Sequence, residues 1–209
     1  MKYLFLLFLL IISYTINAQQ IGGGLKFGID QTYDLKLTPT FKSNTELVLM
    51  NLSPKFEGHL GVWMRASSEY FFFQTELLLH KTDERYLLGK LGRNTTQIKF
   101  SEHRYFLELP LIVGSTYRSL EFYTGVAPRV SINTPQNLAY WFDLQRCNEP
   151  LYLKYMVGVG LKLGSLRVDL RYNNQLLSYH DCITVDNHAF QAVDHIERIS
   201  IGVTLDFLY

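Results

Sequence analysis

The sequence predicts an all-β protein, an eight-stranded antiparallel up-and-down barrel that spans a membrane. Three observations carry that expectation. Apolar and polar residues alternate through most of the chain, which is the period of a strand whose two faces meet different surroundings. The connections between alternating segments are short and long by turns. The chain also opens on Met1, Lys2, an apolar run from Tyr3 to Ile12, polar residues from Ser13 to Asn17 and the small residue Ala18, the order of a secretory signal peptide.

The opening run is about ten residues long, half of the roughly 20 that a membrane-spanning helix needs. Residues 1–18 are therefore expected to be a signal peptide, and residues 19–209 an exported barrel domain. No cysteine lies near Ala18, so nothing marks a lipid-modified N-terminus. The remainder suits a single domain. A net charge of +1 with scattered basic residues excludes a nucleic-acid partner as an expectation. Hydrophobic residues make up 47% of the chain and aromatics 14%, yet after the leader no apolar run approaches helix-spanning length. A membrane would have to be crossed by strands.

Eight segments come near the 9 to 11 residues of a tilted membrane strand. In the first, Ile21 to Asp30, the residues Gly22, Gly24, Lys26, Gly28 and Asp30 share one face. The second, Lys55 to Arg65, sets Glu57, His59, Gly61 and Arg65 on its polar face, and the third, Tyr70 to His80, sets Glu76 there. The fourth, His103 to Gly114, carries Glu108. The fifth, Leu120 to Ile132, carries Glu121, Gly125 and Arg129, and the sixth, Leu151 to Leu163, carries Lys154, Gly158, Gly160 and Lys162. In the seventh, Ser165 to Leu176, Arg167, Asp169, Arg171 and Asn173 alternate with Leu166, Val168, Leu170 and Tyr172. The eighth, His195 to Tyr209, is the clearest: Ser200, Gly202, Thr204 and Asp206 alternate with Ile199, Ile201, Val203, Leu205, Phe207 and Tyr209.

Three connections are tight, near Ala66 to Glu69, Ser115 to Ser119 and Gly164 with Ser165. Four are long: Gln31 to Pro54, Lys81 to Glu102, Asn133 to Pro150 and Leu177 to Asp194. Outer-membrane barrels have short periplasmic turns, long extracellular loops and an even strand count.

Alternation alone leaves open which face looks outward. Glycine weakens strands and has no use on a watery face, whereas the crowded interior of an eight-stranded barrel needs small residues beside large ones. The glycine-bearing polar face is thus expected inside. Its cations Lys26, Arg65, Arg129, Lys154, Lys162, Arg167 and Arg171 are matched by Asp30, Glu57, Glu76, Glu108, Glu121, Asp169 and Asp206, which predicts a charge-paired, plugged lumen. On the other face a Lys or Arg near the bilayer midplane would cost about 2 to 4 kcal/mol, and almost none occurs there. Tyr70, Phe71, Phe122, Phe207 and Tyr209 are placed to form an aromatic girdle.

The segments Tyr105 to Leu111 (YFLELPL), Gly125-Val-Ala-Pro128, Val157-Gly-Val-Gly160 and Leu170-Arg-Tyr-Asn173 occur in an order that resembles the PorT-like outer-membrane β-barrel domain of Bacteroidetes. The opening Gly24-Leu-Lys-Phe-Gly28 and Phe73 to Leu78 (FQTELL) extend the likeness over about Gly22 to Tyr209. One departure stands out: the family usually has Gly-Leu shortly after the Arg-Tyr, where this chain has Gln175-Leu176. The resemblance implies a membrane barrel in a functionally diverse family, a few of whose members assist secretion or gliding. Carrying that role over would be an analogy from fold.

Candidate sites are few. His180, Asp181, Cys182, Asp186, His188, Asp194 and His195 concentrate in the fourth long connection, but their spacing matches no closed metal site. Glu57 and His59 share an interior face, where they can be read as a base with its orienting partner or as a hydrogen-bonded core histidine. Ser178 has His180 and His188 nearby but no nucleophile motif around it. The runs Asn51-Leu-Ser53 and Asn94-Thr-Thr96 match the glycosylation sequon and say little in a bacterial setting. The only two cysteines, Cys147 and Cys182, lie in the third and fourth long connections and are expected to form a disulfide in an oxidising compartment.

No catalytic residue, cofactor or metal ligand is therefore assigned from sequence. The expected protein is a structural, binding or secretion-accessory barrel in the bacterial outer membrane. Its expected partners are outer-membrane lipid, the barrel-assembly machinery during insertion and a protein partner at the extracellular loops. The alternatives are an enzyme embedded in that membrane or a narrow small-solute channel.

Overall fold

A computed structural model describes residues 20–33, 41–42, 47–52, 56–90, 97–132, 145–146, 152–177, 181–185, 188–192 and 197–208. The expected leader and Cys147, Ser178 and His180 lie outside them. The described strands are β1 (Gln20–Tyr33), β2 (Phe41–Lys42), β3 (Leu47–Leu52), β4 (Phe56–Ser67), β5 (Phe71–Lys90), β6 (Gln97–Glu108), β7 (Leu111–Tyr117), β8 (Leu120–Ser131), β9 (Gln145–Arg146), β10 (Tyr152–Leu163), β11 (Leu166–Leu177), β12 (Asp181–Val185), β13 (His188–Ala192) and β14 (Glu197–Leu208).

The protein is all-β and forms a closed antiparallel barrel of eight strands. The barrel strands in chain order are β1, β4, β5, β6 with β7, β8, β10, β11 and β14; each pairs with the next, and the ladder closes where β1 pairs with β14, from Gly24↔Asp206 to Tyr33↔Glu197. One barrel strand comes in two pieces. β6 and β7 both pair with β5 and β8 on either side of Leu109 and Pro110, because proline has no N–H to give the ladder. Nearby backbone bonds carry the sheet across the gap: Leu109 N–H donates to the Pro128 carbonyl and Glu76 N–H to that of Pro110. Alternation survives the break, with Glu108, Pro110 and Ile112 buried and Leu107, Leu109 and Val113 exposed.

All three tight turns lie where the sequence places them. Arg118 and Gly164, each the first residue of a two-residue hairpin turn, have φ of 57° and 65°. Gly164 adopts that left-handed backbone at no steric cost, as a hairpin turn of this kind asks.

The long connections differ from expectation, because much of their length is strand. β5 and β6 continue their pairing to Gly89↔Gln97, through residues read as loop, and β3 adds on the same stretch of β5 with Leu47↔Lys90 to Leu52↔Arg85. Apart from the barrel, β9, β12 and β13 make a three-stranded sheet, so the third and fourth long connections share a backbone ladder.

Burial is inverted relative to a water-soluble core. Among the described residues the interior is lined largely by charged and polar side chains, beside a buried apolar cluster of Phe72, Ile112, Tyr123, Ala127 and Met156. The outer face carries an apolar belt that passes through all eight barrel strands, including Leu25, Val62, Leu77, Leu107, Val126, Val159, Leu170 and Ile201. Glycine lets neighbouring strands approach. A Cβ on Gly61 would stand 2.0 Å from the Leu77 carbonyl oxygen, whereas one on Gly160 would meet nothing closer than 3.5 Å. Gly61→Ala is therefore expected to destabilise the barrel by about 1 to 3 kcal/mol, the usual cost of overpacking, and Gly160→Ala to stay within about 0.5 kcal/mol of wild type. Equal denaturation midpoints for the two variants would contradict this contact.

Candidate functional site

The interior charges fall into three groups along the barrel, and strand order explains why. Residues of one parity on every strand face inward, so positions at similar heights on different strands converge. Near the tight turns, Arg65 Nη1 and Nη2 hold Glu121 at 2.7 and 2.9 Å, Arg167 Nε lies 3.2 Å from Glu121, and Arg167 Nη2 lies 3.3 Å from Asp206. Lys162 is half-buried there and its charge acts on both carboxylates. Arg65 also stacks on Phe72, 3.8 Å from the ring centroid, and Arg167 lies over Trp63.

At mid-height, Arg171 grips Glu76 with Nη1 and Nη2 at 2.8 and 2.6 Å. Lys26 Nζ donates to Asp169 at 2.6 Å and to Glu76 at 3.3 Å. Arg171 Nε reaches Asp169 and the Tyr123 hydroxyl, and Gln74 donates to Glu76. Two cations and two carboxylates thus satisfy one another, and paired, hydrogen-bonded charge is the form in which burial is tolerated. The crevice bordered by Lys26, Arg65, Gln74, Glu121, Asp169 and Arg171 is about the size of one water molecule.

Toward the long connections, Glu57 accepts from Arg129 and Arg198, and Glu108 accepts from Lys154 at 2.6 Å. Arg129 also stacks on Phe106, 3.8 Å from its centroid. Between these pairs sit Asp30, His59 and His80. His59 Nδ1 donates to Asp30 Oδ2 at 3.3 Å, and His80 Nδ1 lies 3.1 Å from the same oxygen.

Of the fourteen charged residues expected to pair inside, Lys26, Asp30, Glu57, Arg65, Glu76, Glu108, Glu121, Arg129, Arg167, Asp169 and Arg171 are buried there. Lys154 is nearly so, and Lys162 and Asp206 are half-buried near the turns. His59 is the hydrogen-bonded interior histidine, and its partner is Asp30; Glu57 is taken by the two arginines. Participants not picked out as site residues include Gln74, His80, Tyr123, Arg198 and Asn173, the last donating to Ser200 at 2.7 Å. Parity alone could have found them, since His80 continues Glu76 and Arg198 precedes Ser200 by two. Of the residues grouped in the fourth connection, Asp181 and Cys182 are on β12 and His188 on β13; side-chain placement there, and His180, lies outside the described residues.

Fold and interior together define a class: a closed eight-stranded barrel with a charge-paired, sealed middle and an apolar outer face. Compared with known proteins, the chain matches no family model and no curated protein.

Proposed function

We propose that this protein is exported and spans a bacterial outer membrane as a plugged barrel, serving a structural, binding or secretion-accessory role through its long connections. The observation that carries the reading is the apolar belt around a buried charge network. Along β1 the exposed side chains run from Ile21 to Ile29, about 27 Å of strand. A tilt of about 40° reduces that to about 21 Å, near the roughly 25 Å apolar band of outer-membrane barrels. Exposed Tyr70, Phe71, Tyr117 and Phe207 rim the belt on the turn side, as an aromatic girdle does. Exposed Lys81, Asp83 and His103 follow it on the other side. The leader and the ordered PorT-like segments agree with this placement, and the loops are the surface left for a protein partner.

The expected result is fractionation with the outer membrane, heat-modifiable migration on detergent gels and negligible single-channel conductance in planar bilayers. Recovery in the soluble periplasm would overturn the membrane reading, and stable openings of porin size would favour a channel.

A Cys147–Cys182 bond is part of this proposal; the backbone pairing nearest to it is that of Arg146 with Ile183, chain neighbours of the two cysteines. Closing a loop of about 35 residues would contribute about 3 to 4 kcal/mol in the chain-entropy account. Thiol titration of unreduced, denatured protein is expected to find no reactive thiol before reduction and two after it; two before reduction would exclude the bond.

A further inference from the structure

Asp30 is distinctive among the buried carboxylates of the described residues. Glu57, Glu76, Glu108, Glu121 and Asp169 each lie within ion-pair distance of a lysine or arginine. Among the described side chains, Asp30 lies within that distance of His59 and His80 alone. A buried carboxylate needs a cation, and among the described side chains the cations near it, Arg129, Lys154 and Arg198, are bonded to Glu57 or Glu108.

From the geometry we propose that Asp30, His59 and His80 bind a divalent first-row transition ion of the zinc type inside the barrel. One ligand atom from each lies within 4.8 Å of the other two, and all three residues are buried. Asp30 Oδ2 stands 3.3 Å from His59 Nδ1 and 3.1 Å from His80 Nδ1. Ligands about 2.0 to 2.1 Å from a tetrahedral ion are about 3.3 Å apart, so these two separations have the length of edges of such a polyhedron. Two imidazoles and one carboxylate are a donor set that zinc, cobalt and nickel accept.

The surroundings of His80 agree. His80 Nδ1 is close to Asp30 without the geometry of a hydrogen bond, and Asp30 Oδ1, His59 Nε2 and both His80 nitrogens are buried polar atoms lacking a hydrogen-bond partner. With Nδ1 turned to an ion, the proton of each ring sits on Nε2. For His80 that nitrogen is 3.5 Å from Glu108 Oε2, the carboxylate that commonly orients a ligating histidine from behind. Gly28 makes room for the other ring, since a Cβ there would stand 2.4 Å from His59 Nε2. The site is reached by chain folding: Gly28 pairs with His59 and His59 with His80 across three adjacent strands, with Asp30 two residues beyond Gly28. The inference does not depend on the membrane reading, because these groups face the lumen.

The test is to dialyse the purified, folded full-length protein against zinc or cobalt ions and measure bound metal, with heat-modifiable migration and circular dichroism as controls for folding. One ion per chain is expected, and the cobalt form should show the visible absorption of a tetrahedral site. His59→Gln and His80→Gln are expected to weaken binding by more than about tenfold, and His103→Gln, on exposed barrel surface, to leave it unchanged. Nitrogen-15 spectra of the wild-type histidines keep the test decisive if those variants misfold: two rings should shift at Nδ1 on adding zinc. No metal retained by folded wild type, no Nδ1 shift, or binding unchanged in folded His59→Gln and His80→Gln would each overturn the site.

Discussion

Glu76→Gln is expected to lower the stability of the folded barrel by about 3 to 5 kcal/mol, the cost of removing one partner from a buried charge pair. Glu76 is fully buried and takes two bonds from Arg171, one from Lys26 and one from Gln74. With a neutral amide in its place, Lys26 and Arg171 are left in a dry lumen with Asp169 as their shared counter-charge. Adding Lys26→Met should recover part of the loss, because it withdraws one of the two stranded cations and packs an apolar chain in its volume. Equilibrium urea unfolding in lipid vesicles, followed by tryptophan fluorescence, measures both effects, and the non-additivity of the pair reports their coupling. A loss below about 1 kcal/mol for Glu76→Gln would mean that water reaches the middle of the barrel.

The second large effect lies on the opposite face of the same wall. Val159 is at the middle of the outward row on β10, pairing with Phe122 and Leu170 on its two sides, and it is 45% exposed. If lipid surrounds this belt, Val159→Arg should cost about 2 to 4 kcal/mol in vesicles, the penalty for a cation near the bilayer midplane. If the barrel stood in water the same substitution would stay within about 0.5 kcal/mol, as surface changes do. The comparison separates the two environments with the fold held constant. It also complements fractionation, since it reads the surroundings of one wall residue.

The long connections lie beyond the barrel wall, and their structure bears on any partner. Strands β3, β5 and β6 extend past the barrel as a paired sheet, and β9 with β12 ties the third connection to the fourth. A partner would therefore meet backbone held by hydrogen-bonded ladders, which lowers the ordering cost of binding.

By itself the sequence determined the strand count, the closed antiparallel order, the tight turns and the sidedness of nearly every barrel residue. A period of two written over eight segments admits little else once one face must hold charges and the other must not. It was silent where that contrast fades. Between Lys81 and Glu102 charged residues stand in succession, as in Lys81, Asp83, Glu84 and Arg85, so the pairing of β5 with β6 there left no period of two in the sequence. Nor could parity tell which inward charge meets which. Lys26 finds Asp169 across 143 residues, and Arg198 finds Glu57 across 141, because closure of the ladder and the tilt of the strands set the height of each side chain. The same geometry gave His59 to Asp30 instead of to Glu57, its neighbour on β4, and brought His80 to complete the cluster. Contacts across a lumen depend on register summed around the whole barrel, and only the folded ladder fixes that sum.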